Sequence, residues 1–205
     1  MVKAIEIYPQ VKLFITELMS GDLAEMLREG RLDAAILFNV KETDDFTSNP
    51  LIRERLHLIG APDAPLVQAG DVKAELLRDL PLVGTFPPHG LRLLLERWSN
   101  KANIPLHFKF QADAPSVLVR LAAKGECYSI VAKAAIAHEI GSGTLYSAEV
   151  ESPAIERTAS VCTSKRPPPD KAREALVSLM ESVALDLVKN RHWPGAEIST
   201  PSTQI

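Results

Sequence analysis

The sequence predicts an α/β fold in two lobes, and three observations support this. Segments with the two-residue apolar period of strands alternate with segments that have the 3.6-residue apolar period of helices. Residues 61–65, Ala-Pro-Asp-Ala-Pro, interrupt this alternation and separate two stretches of it. The 205 residues are 46% hydrophobic and 24% charged, which is enough to bury a core without a disulfide or a metal. We therefore expect each lobe to hold a mainly parallel sheet flanked by helices.

The first stretch has the pattern of a β-α-β unit. Val11, Leu13 and Ile15 stand at every second position and predict a strand over residues 11–18. Ser20 is placed to cap the helix that follows, and Gly30 is placed to end it. Residues 32–38 form a nearly continuous apolar run, which is typical of a strand buried on both faces.

The rest of the chain continues the alternation. Apolar patterns predict strands at residues 51–60, 80–86, 105–110, 128–132, 145–150 and 157–163. Helices are predicted from about residues 91, 113 and 170, and the last of them has an apolar stripe formed by Leu176, Leu179, Met180, Val183 and Leu187. The polar residues from about 195 are expected to fray. Cys127 and Cys162 lie in apolar runs and are expected to be small core residues, although a disulfide between them stays open.

Composition and missing motifs narrow the classes of function. The formal net charge of −3 argues against a large phosphate-binding surface. Residues 1–6 lack the apolar stretch of a secretory signal, and no apolar run approaches ~18 residues, so we expect a cytoplasmic protein without a membrane span. The histidines have no metal-ligand spacing, and no phosphate loop or nucleophile–base pair stands out. We therefore expect no cofactor, no metal and no enzymatic activity.

Four motifs follow one another in an order typical of one family. Residues 8–13 (YPQVKL), 20–23 (SGDL) and 30–36 (GRLDAAI) together resemble the opening of the effector-binding domain of LysR-type transcriptional regulators. Residues 88–92 (PHGLR) resemble the nitrogen-assimilation-control branch of that family. Residues 123–131 (AKGECYSIV) resemble its return segment, where Cys127 and Ala132 replace a Gly and a Pro, and residues 191–196 (RHWPGA) fit its end.

The resemblance implies a periplasmic-binding-protein-like fold of type 2. Lobe I would comprise residues 1–61 and 134–205, and lobe II residues 62–133, with a small, anionic effector held in the cleft between them. The family resemblance also implies a homo-oligomer, dimer or tetramer, that binds promoter DNA through a winged helix-turn-helix domain. We expect this domain and the first strand of the effector-binding domain to be absent here, and residues 2–8 to be the last turns of its first helix.

Two groups of residues are candidate effector contacts. At the start of the first predicted helix, the Ser20 hydroxyl and the Gly21 N–H would bind a carboxylate or sulfate; the alternative is that Ser20 only caps the helix. Phe38 and Asn39 end the following strand and form either a cleft wall or a plain strand exit.

The second group surrounds the start of another predicted helix. By resemblance, Thr85 supplies a hydroxyl, His89 a hydrogen-bond donor and Arg92 a fork that matches a carboxylate; the alternative is a solvated helix start. Ser129 faces either the ligand or, as we favour, the core. Asp113 is expected to cap the next helix rather than to contact the ligand.

Two other functions stay open. A solute-binding protein that serves transport would have the same fold. A truncated chain of this kind could also act only by pairing with an intact regulator, without sensing a ligand.

Overall fold

The structure is a computed structural model that describes residues 2–112, 114–166, 168 and 170–199. The helices, in chain order, are α1 (Val2–Ile7), α2 (Ser20–Arg28), α3 (Pro65–Gln68), α4 (Gly90–Ala102), α5 (Pro115–Ala123), α6 (Ala137–Gly141) and α7 (Lys171–Lys189). The strands are β1 (Ala34–Phe38), β2 (Phe46–Gly60), β3 (Asp71–Lys73), β4 (Pro81–Gly84), β5 (His107–Gln111), β6 (Ser129–Ala132), β7 (Tyr146–Glu151), β8 (Glu156–Ser164) and β9 (Ala196–Ile198). Asp113, the expected cap of α5, lies outside the described residues.

The chain divides into two compact units. Unit 1 comprises Met1–Arg53, Thr158–His192 and Glu197–Ile205, and unit 2 comprises Glu54–Arg157 and Trp193–Ala196. The lobe boundaries implied by the family resemblance, after residues 61 and 133, both fall inside unit 2. The reason is that the second half of β2 pairs with both β6 and β7. The lobe division therefore stays a prediction.

Unit 1 is built on the antiparallel pair β1 and β8, in which Ile36 lies opposite Val161. The apolar face of α2 packs Ala24 and Leu27 into a buried cluster with Leu37 and Cys162. Gly30 follows Glu29, the C-cap residue of α2, and ends the helix as predicted. Its φ of 71° lies in the left-handed region, which glycine adopts without strain. Among the described residues, β1 pairs with a strand on one side only.

Unit 2 contains two sets of strands. The second half of β2 pairs antiparallel with β6 and β7, and β3 pairs parallel with β7. The pair β4 and β5 is parallel, and Leu82 bridges to Tyr128 next to β6. The largest core cluster of the unit joins Leu58 and Ile130 of the β2–β6 pair to Leu82 of β4 and Leu95 of α4.

The strand predicted over residues 11–18 does not form. These residues pair with no strand in the described part of the chain, and Phe14 and Ile15 are 92% and 66% exposed. Alternating apolar residues favour a strand only where a neighbouring strand accepts its hydrogen bonds, so the predicted β-α-β unit is wrong.

Three smaller expectations also need correction. The sheets are mixed, because the long strands β2 and β8 return antiparallel to their neighbours, rather than mainly parallel. Strand β1 alternates between buried and exposed positions instead of being buried on both faces. Residues 196–198 do not fray, since β9 pairs with β2 and the Ser199 N–H donates to the Leu51 carbonyl.

Helix α7 and the cysteines follow the sequence more closely. The predicted helix over residues 170–190 is present, capped by Asp170, whose side chain accepts from the Arg173 N–H at 2.8 Å. Its apolar stripe is half-buried, and the fully buried positions are Arg173 and Ala184. Cys127 and Cys162 are buried free thiols, as expected for core residues. No helix in the described part of the chain is both long and apolar enough to cross a membrane.

Candidate functional site

Ser20 is the first residue of α2 rather than its cap. The capping position is Met19, which makes no side-chain hydrogen bond to the helix, so the predicted capping role of Ser20 is wrong. The Ser20 hydroxyl instead accepts from the Phe38 N–H at 3.4 Å and thereby links the start of α2 to the end of β1. Gly21 is exposed, and a Cβ built on it would meet nothing within 4 Å. The space beside the first turn of α2 is therefore open.

Asn39 is held by the neighbouring strand. Its backbone lies in the left-handed region at a φ of 53°, a conformation that asparagine tolerates better than most residues. Its N–H donates to the Thr158 carbonyl, and its Oδ1 accepts from the Thr158 N–H, both at 2.9 Å. These two bonds fix the exit from β1, which favours the strand-exit interpretation of Asn39. Phe38, the residue before it, is half-buried.

Thr85 follows β4 and has an unusual side chain. The residue is only 1% exposed, and its Oγ1 has no hydrogen-bond partner among the described residues. Leaving a buried hydroxyl unsatisfied costs about 1–3 kcal/mol, so such groups are rare in native proteins. The predicted candidate is therefore a buried polar atom with unused hydrogen-bonding capacity, located between a strand end and a helix start.

His89 caps α4. Its ring Nδ1 accepts from the Leu91 backbone N–H at 3.1 Å, and the backbone N–H of His89 donates to the Phe86 carbonyl at 3.1 Å. A histidine that accepts at Nδ1 carries its proton on Nε2 when it is neutral. The structure thus gives His89 a capping role through Nδ1, and its ligand contact stays a prediction.

Arg92 is drawn into contacts with the protein itself. Its Nε donates to Glu96 at 2.7 Å, and its Nη1 donates to the Thr85 carbonyl at 3.2 Å. The guanidinium lies 3.9 Å from the centre of the Phe108 ring, in a cation–π contact. Arg92 therefore ties α4 to the backbone of Thr85. The predicted role as a ligand-binding fork is not supported by this geometry.

Ser129 is a core residue. It is 1% exposed, and its hydroxyl donates to the Val83 carbonyl at 2.9 Å, across to β4. This agrees with the favoured interpretation from the sequence.

Gly84 sets the spacing around Thr85 and was not predicted. A Cβ on Gly84 would lie 2.5 Å from the Phe108 ring, the same ring that carries the Arg92 guanidinium. The ring thus packs directly against the backbone of β4. Glycine beside a candidate polar residue at a strand end was the signal in the sequence.

Gly84→Ala is expected to lower the free energy of unfolding by about 1–3 kcal/mol, because the added methyl group must displace the Phe108 ring. Urea denaturation measures the loss. The matched control is Gly141→Ala, at a position where a Cβ meets nothing within 4 Å. Equal stability of the two variants would contradict the close packing of Gly84.

Unit 2 also contains a buried charged cluster that the sequence pattern did not predict. Glu54 is 2% exposed; its Oε1 accepts from Arg157 Nε at 2.5 Å, and its Oε2 accepts from Trp193 Nε1 at 3.1 Å. The Arg55 N–H donates to the Gly195 carbonyl at 2.9 Å. These bonds hold the segment Trp193–Ala196, part of the motif RHWPGA, on β2. The motif therefore has a structural role in unit 2.

His57 lies next to this segment. It is 5% exposed, and neither ring nitrogen has a hydrogen-bond partner among the described residues. Burial lowers its pKa to about 4; the positive charges of Lys133 and Arg55 act in the same direction, and Glu149 opposes them. His57 is therefore a buried, neutral histidine on a face of strand β2.

Comparison with known proteins identifies the family of the chain. The family model described as the LysR substrate binding domain matches residues 3–184. The chain belongs to the LysR family. This membership, predicted from the four motifs, is confirmed.

Two curated relatives place the LysR-type domain within longer proteins. It is 24% identical over 188 residues to the HTH-type transcriptional regulator BbuR of Bordetella bronchiseptica, covering 92% of this chain and 58% of that protein. It is also 24% identical to the nitrogen assimilation regulatory protein nac of Klebsiella aerogenes, covering 87% of this chain and 59% of that protein. The chain thus spans less than two thirds of the length of these relatives.

Solved structures confirm the fold class. The regulatory domain of CcmR from Synechocystis, in complex with 2-PG, superposes with a TM-score of 0.80 at 15% identity over 89% of this chain and 88% of that one. The effector binding domain of QuiR, in complex with shikimate, gives a TM-score of 0.77 at 16% identity over 90% and 87%. The LysR-type domain has the predicted type 2 periplasmic-binding-protein-like fold.

Proposed function

We propose that this LysR-type domain binds a small anionic metabolite and that binding regulates transcription. The observation that carries the proposal is the buried Thr85 hydroxyl, which lacks a partner among the described residues. A ligand oxygen beside it would satisfy the hydroxyl and recover part of the 1–3 kcal/mol that its burial costs. Family membership supports the class of function, and the buried Thr85 hydroxyl supports the proposed location of the ligand-binding site.

The chemistry around Thr85 favours an anion. Thr85 precedes the 13-residue helix α4, whose N-terminal N–H groups carry partial positive charge. His89 caps the same helix start through Nδ1. The ligands in the two neighbouring structures, 2-PG for CcmR and shikimate for QuiR, are probes with which a search would start.

We assign different roles to the eight candidate residues. Thr85 and His89 are proposed to contact the ligand in unit 2, and Arg92 to position Thr85 through its carbonyl. In unit 1, Ser20 and Gly21 are proposed to contact the ligand at the start of α2, beside open space. Phe38 is proposed to support that helix start from β1, and Asn39 to fix the exit of the chain from β1. Ser129 is proposed to act only in the core.

The whole regulator is proposed to be a cytoplasmic homo-oligomer, dimer or tetramer, without catalytic activity. Promoter DNA would be bound by a separate helix-turn-helix domain, since the matched relatives are longer than this chain and the first is named an HTH-type regulator. A solute-binding protein and a non-sensing fragment are the competing functions. Export of the chain would support a solute-binding protein. The absence of any ligand would support a non-sensing fragment.

Thr85→Val tests the proposal, because it removes the hydroxyl and keeps the shape. We expect ligand affinity to fall about tenfold, which is about 1.4 kcal/mol. The melting temperature of the unliganded variant should rise by about 2–4 °C, since removing an unsatisfied buried hydroxyl stabilises by about 1 kcal/mol. Calorimetric titration and thermal melts measure the two effects.

The matched control is Thr144→Val. Thr144 is exposed and donates to the Glu139 carbonyl at 3.2 Å. This variant should keep the affinity of the wild type. If Thr85→Val also binds the ligand as tightly as the wild type does, Thr85 is not a ligand contact and the proposed site is wrong.

A further inference from the structure

His57 lies beneath a thin cover of backbone. It is 5% exposed, although Gly195, which lies against its ring, is itself an exposed residue. A Cβ built on Gly195 would be 3.3 Å from His57 Nε2 and 3.4 Å from the Cβ of Lys133. The φ of Gly195 is 79°, a conformation that glycine adopts without strain. Glycine therefore lets the chain pass directly over the imidazole ring.

The turn Trp193–Ala196 is held over His57 by hydrogen bonds to β2. The Arg55 N–H donates to the Gly195 carbonyl at 2.9 Å, and the indole of Trp193 donates to Glu54 at 3.1 Å. The turn joins α7 to β9 along the chain. A short turn held in this way can open without the rest of unit 2, because protein structures open locally wherever few bonds must break.

The charged groups around the imidazole come from three places. Arg55 stands two residues before His57 on the same face of β2, Lys133 directly follows β6, and Glu149 lies opposite His57 on β7. Arg55 is ion-paired with Glu149 and, at 3.5 Å, with Glu156. Burial, followed by the charge of Lys133, lowers the pKa of His57 to about 4; Arg55 acts in the same direction, and Glu149 opposes them.

We propose that the turn Trp193–Ala196 is an acid-sensitive latch, which opens when His57 takes up a proton. Neither ring nitrogen has a hydrogen-bond partner among the described residues, so the closed turn gives an imidazolium no acceptor. Opening admits water, which hydrates the charge and screens it from Lys133 and Arg55. The proton therefore binds the open state more tightly and shifts the equilibrium toward it. The latch requires no ligand at Thr85.

Proton linkage sets the size of the effect. In the open state His57 titrates near 6.5, as an exposed histidine does, whereas in the closed state its pKa is about 4. Above pH 6.5 both states are neutral at His57, and the opening constant does not depend on pH. Below pH 6.5 the opening constant rises by up to about tenfold per pH unit, until the closed-state pKa is reached. From pH 7.5 to pH 5 we expect a rise of about 25-fold.

Amide exchange of Arg55 at pH 7.5 and pH 5 tests the latch, since opening of the turn releases this N–H from the Gly195 carbonyl. After correction for the intrinsic pH dependence of exchange, the protection factor of Arg55 should fall about 25-fold in the wild type. In His57→Leu, which cannot take up the proton, it should change by less than about threefold. Low concentrations of urea should not accelerate the exchange of Arg55, because a local opening exposes little surface.

Two glycine variants separate the turn from the proton. Gly195→Ala places a methyl group against the His57 ring at a positive φ, so the turn should open about tenfold more readily at both pH values. The matched control is Gly143→Ala, at a φ of 71° and with nothing within 4 Å of the added Cβ. This control has a similar backbone strain outside the turn and should leave the exchange of Arg55 unchanged.

Each of three results would overturn the latch. The first is a protection factor of Arg55 that is the same at pH 7.5 and pH 5, and the second is an equal fall in the wild type and in His57→Leu. The third is an exchange of Arg55 that urea accelerates as strongly as that of Val83, whose N–H donates to the Tyr128 carbonyl. The turn would then open only when the whole unit unfolds. The first and third results need the wild type alone, so they decide the question even if His57→Leu does not fold.

Discussion

Glu54→Ala is expected to lower the free energy of unfolding by about 3 kcal/mol. The carboxylate is 2% exposed and accepts from both Arg157 and Trp193, so its removal withdraws the counter-charge of a largely buried guanidinium and the acceptor of an indole N–H. Breaking a buried ion pair from one side costs about 3–5 kcal/mol, and the 19% exposure of the Arg157 side chain places this case at the lower end. Urea denaturation followed by circular dichroism measures the loss.

Two controls accompany this variant. Glu197→Ala removes one partner of the exposed pair Arg53–Glu197 and should change stability by less than about 1 kcal/mol. The double variant Glu54→Leu with Arg157→Met removes both charges and should recover much of the stability, because an apolar replacement of a buried pair is often neutral. A loss below 1 kcal/mol for Glu54→Ala would contradict the structural role of the cluster.

The stability of the chain should also fall as the pH drops from 6.5 to 4, and His57 should account for about 3 kcal/mol of this loss. Burial lowers the pKa of His57 from 6.5 to about 4, so the unfolded chain takes up a proton at a higher pH than the folded chain does. Above pH 6.5 both states are neutral at this residue and the contribution is absent. Below pH 6.5 protonation favours the unfolded state until the folded-state pKa is reached.

Comparison with a variant isolates the contribution of His57, because carboxylates titrate in the same range. The stability of His57→Leu should decline less than that of the wild type over this interval, by about 3 kcal/mol. His107→Leu, which removes an exposed imidazole, is the matched control. Parallel curves for wild type and His57→Leu would show that His57 is not the buried neutral group described above.

The longer helices and most strands could be predicted from the sequence because their signals are local, whereas the short helices α3 and α6 were not predicted. The apolar faces of α2, α4 and α7 and the glycine after α2 specify these helices with little help from the rest of the chain. Residues 11–18 could not be predicted in the same way. A strand also needs the hydrogen bonds of a neighbour, which the alternation of apolar residues within the segment does not report.

The sequence singled out the candidate residues, and it did not predict their contacts within the protein. Motif order led to Thr85 and His89, but Arg92 was expected to face a ligand and instead contacts Glu96 and Phe108. Arg92 and Phe108 are 16 positions apart on different elements, so their contact produces no periodic pattern in the sequence. The contact between Glu54 and Arg157 is equally distant in sequence. One signal was present, however: Glu54 alternates with Ile52 and Leu56 on one buried face of β2, which indicates a buried charge.

The most direct test of the proposed function is a thermal-shift screen of the wild-type chain against small carboxylates, sulfur anions and amino-acid precursors. A ligand present at about 100 times its dissociation constant should stabilise the fold by about 2.7 kcal/mol, or roughly 5–11 °C for a chain of this size. We predict at least one saturable shift that Thr85→Val reduces. A cooperatively melting protein that shows no shift with any of these compounds would contradict a ligand-sensing function.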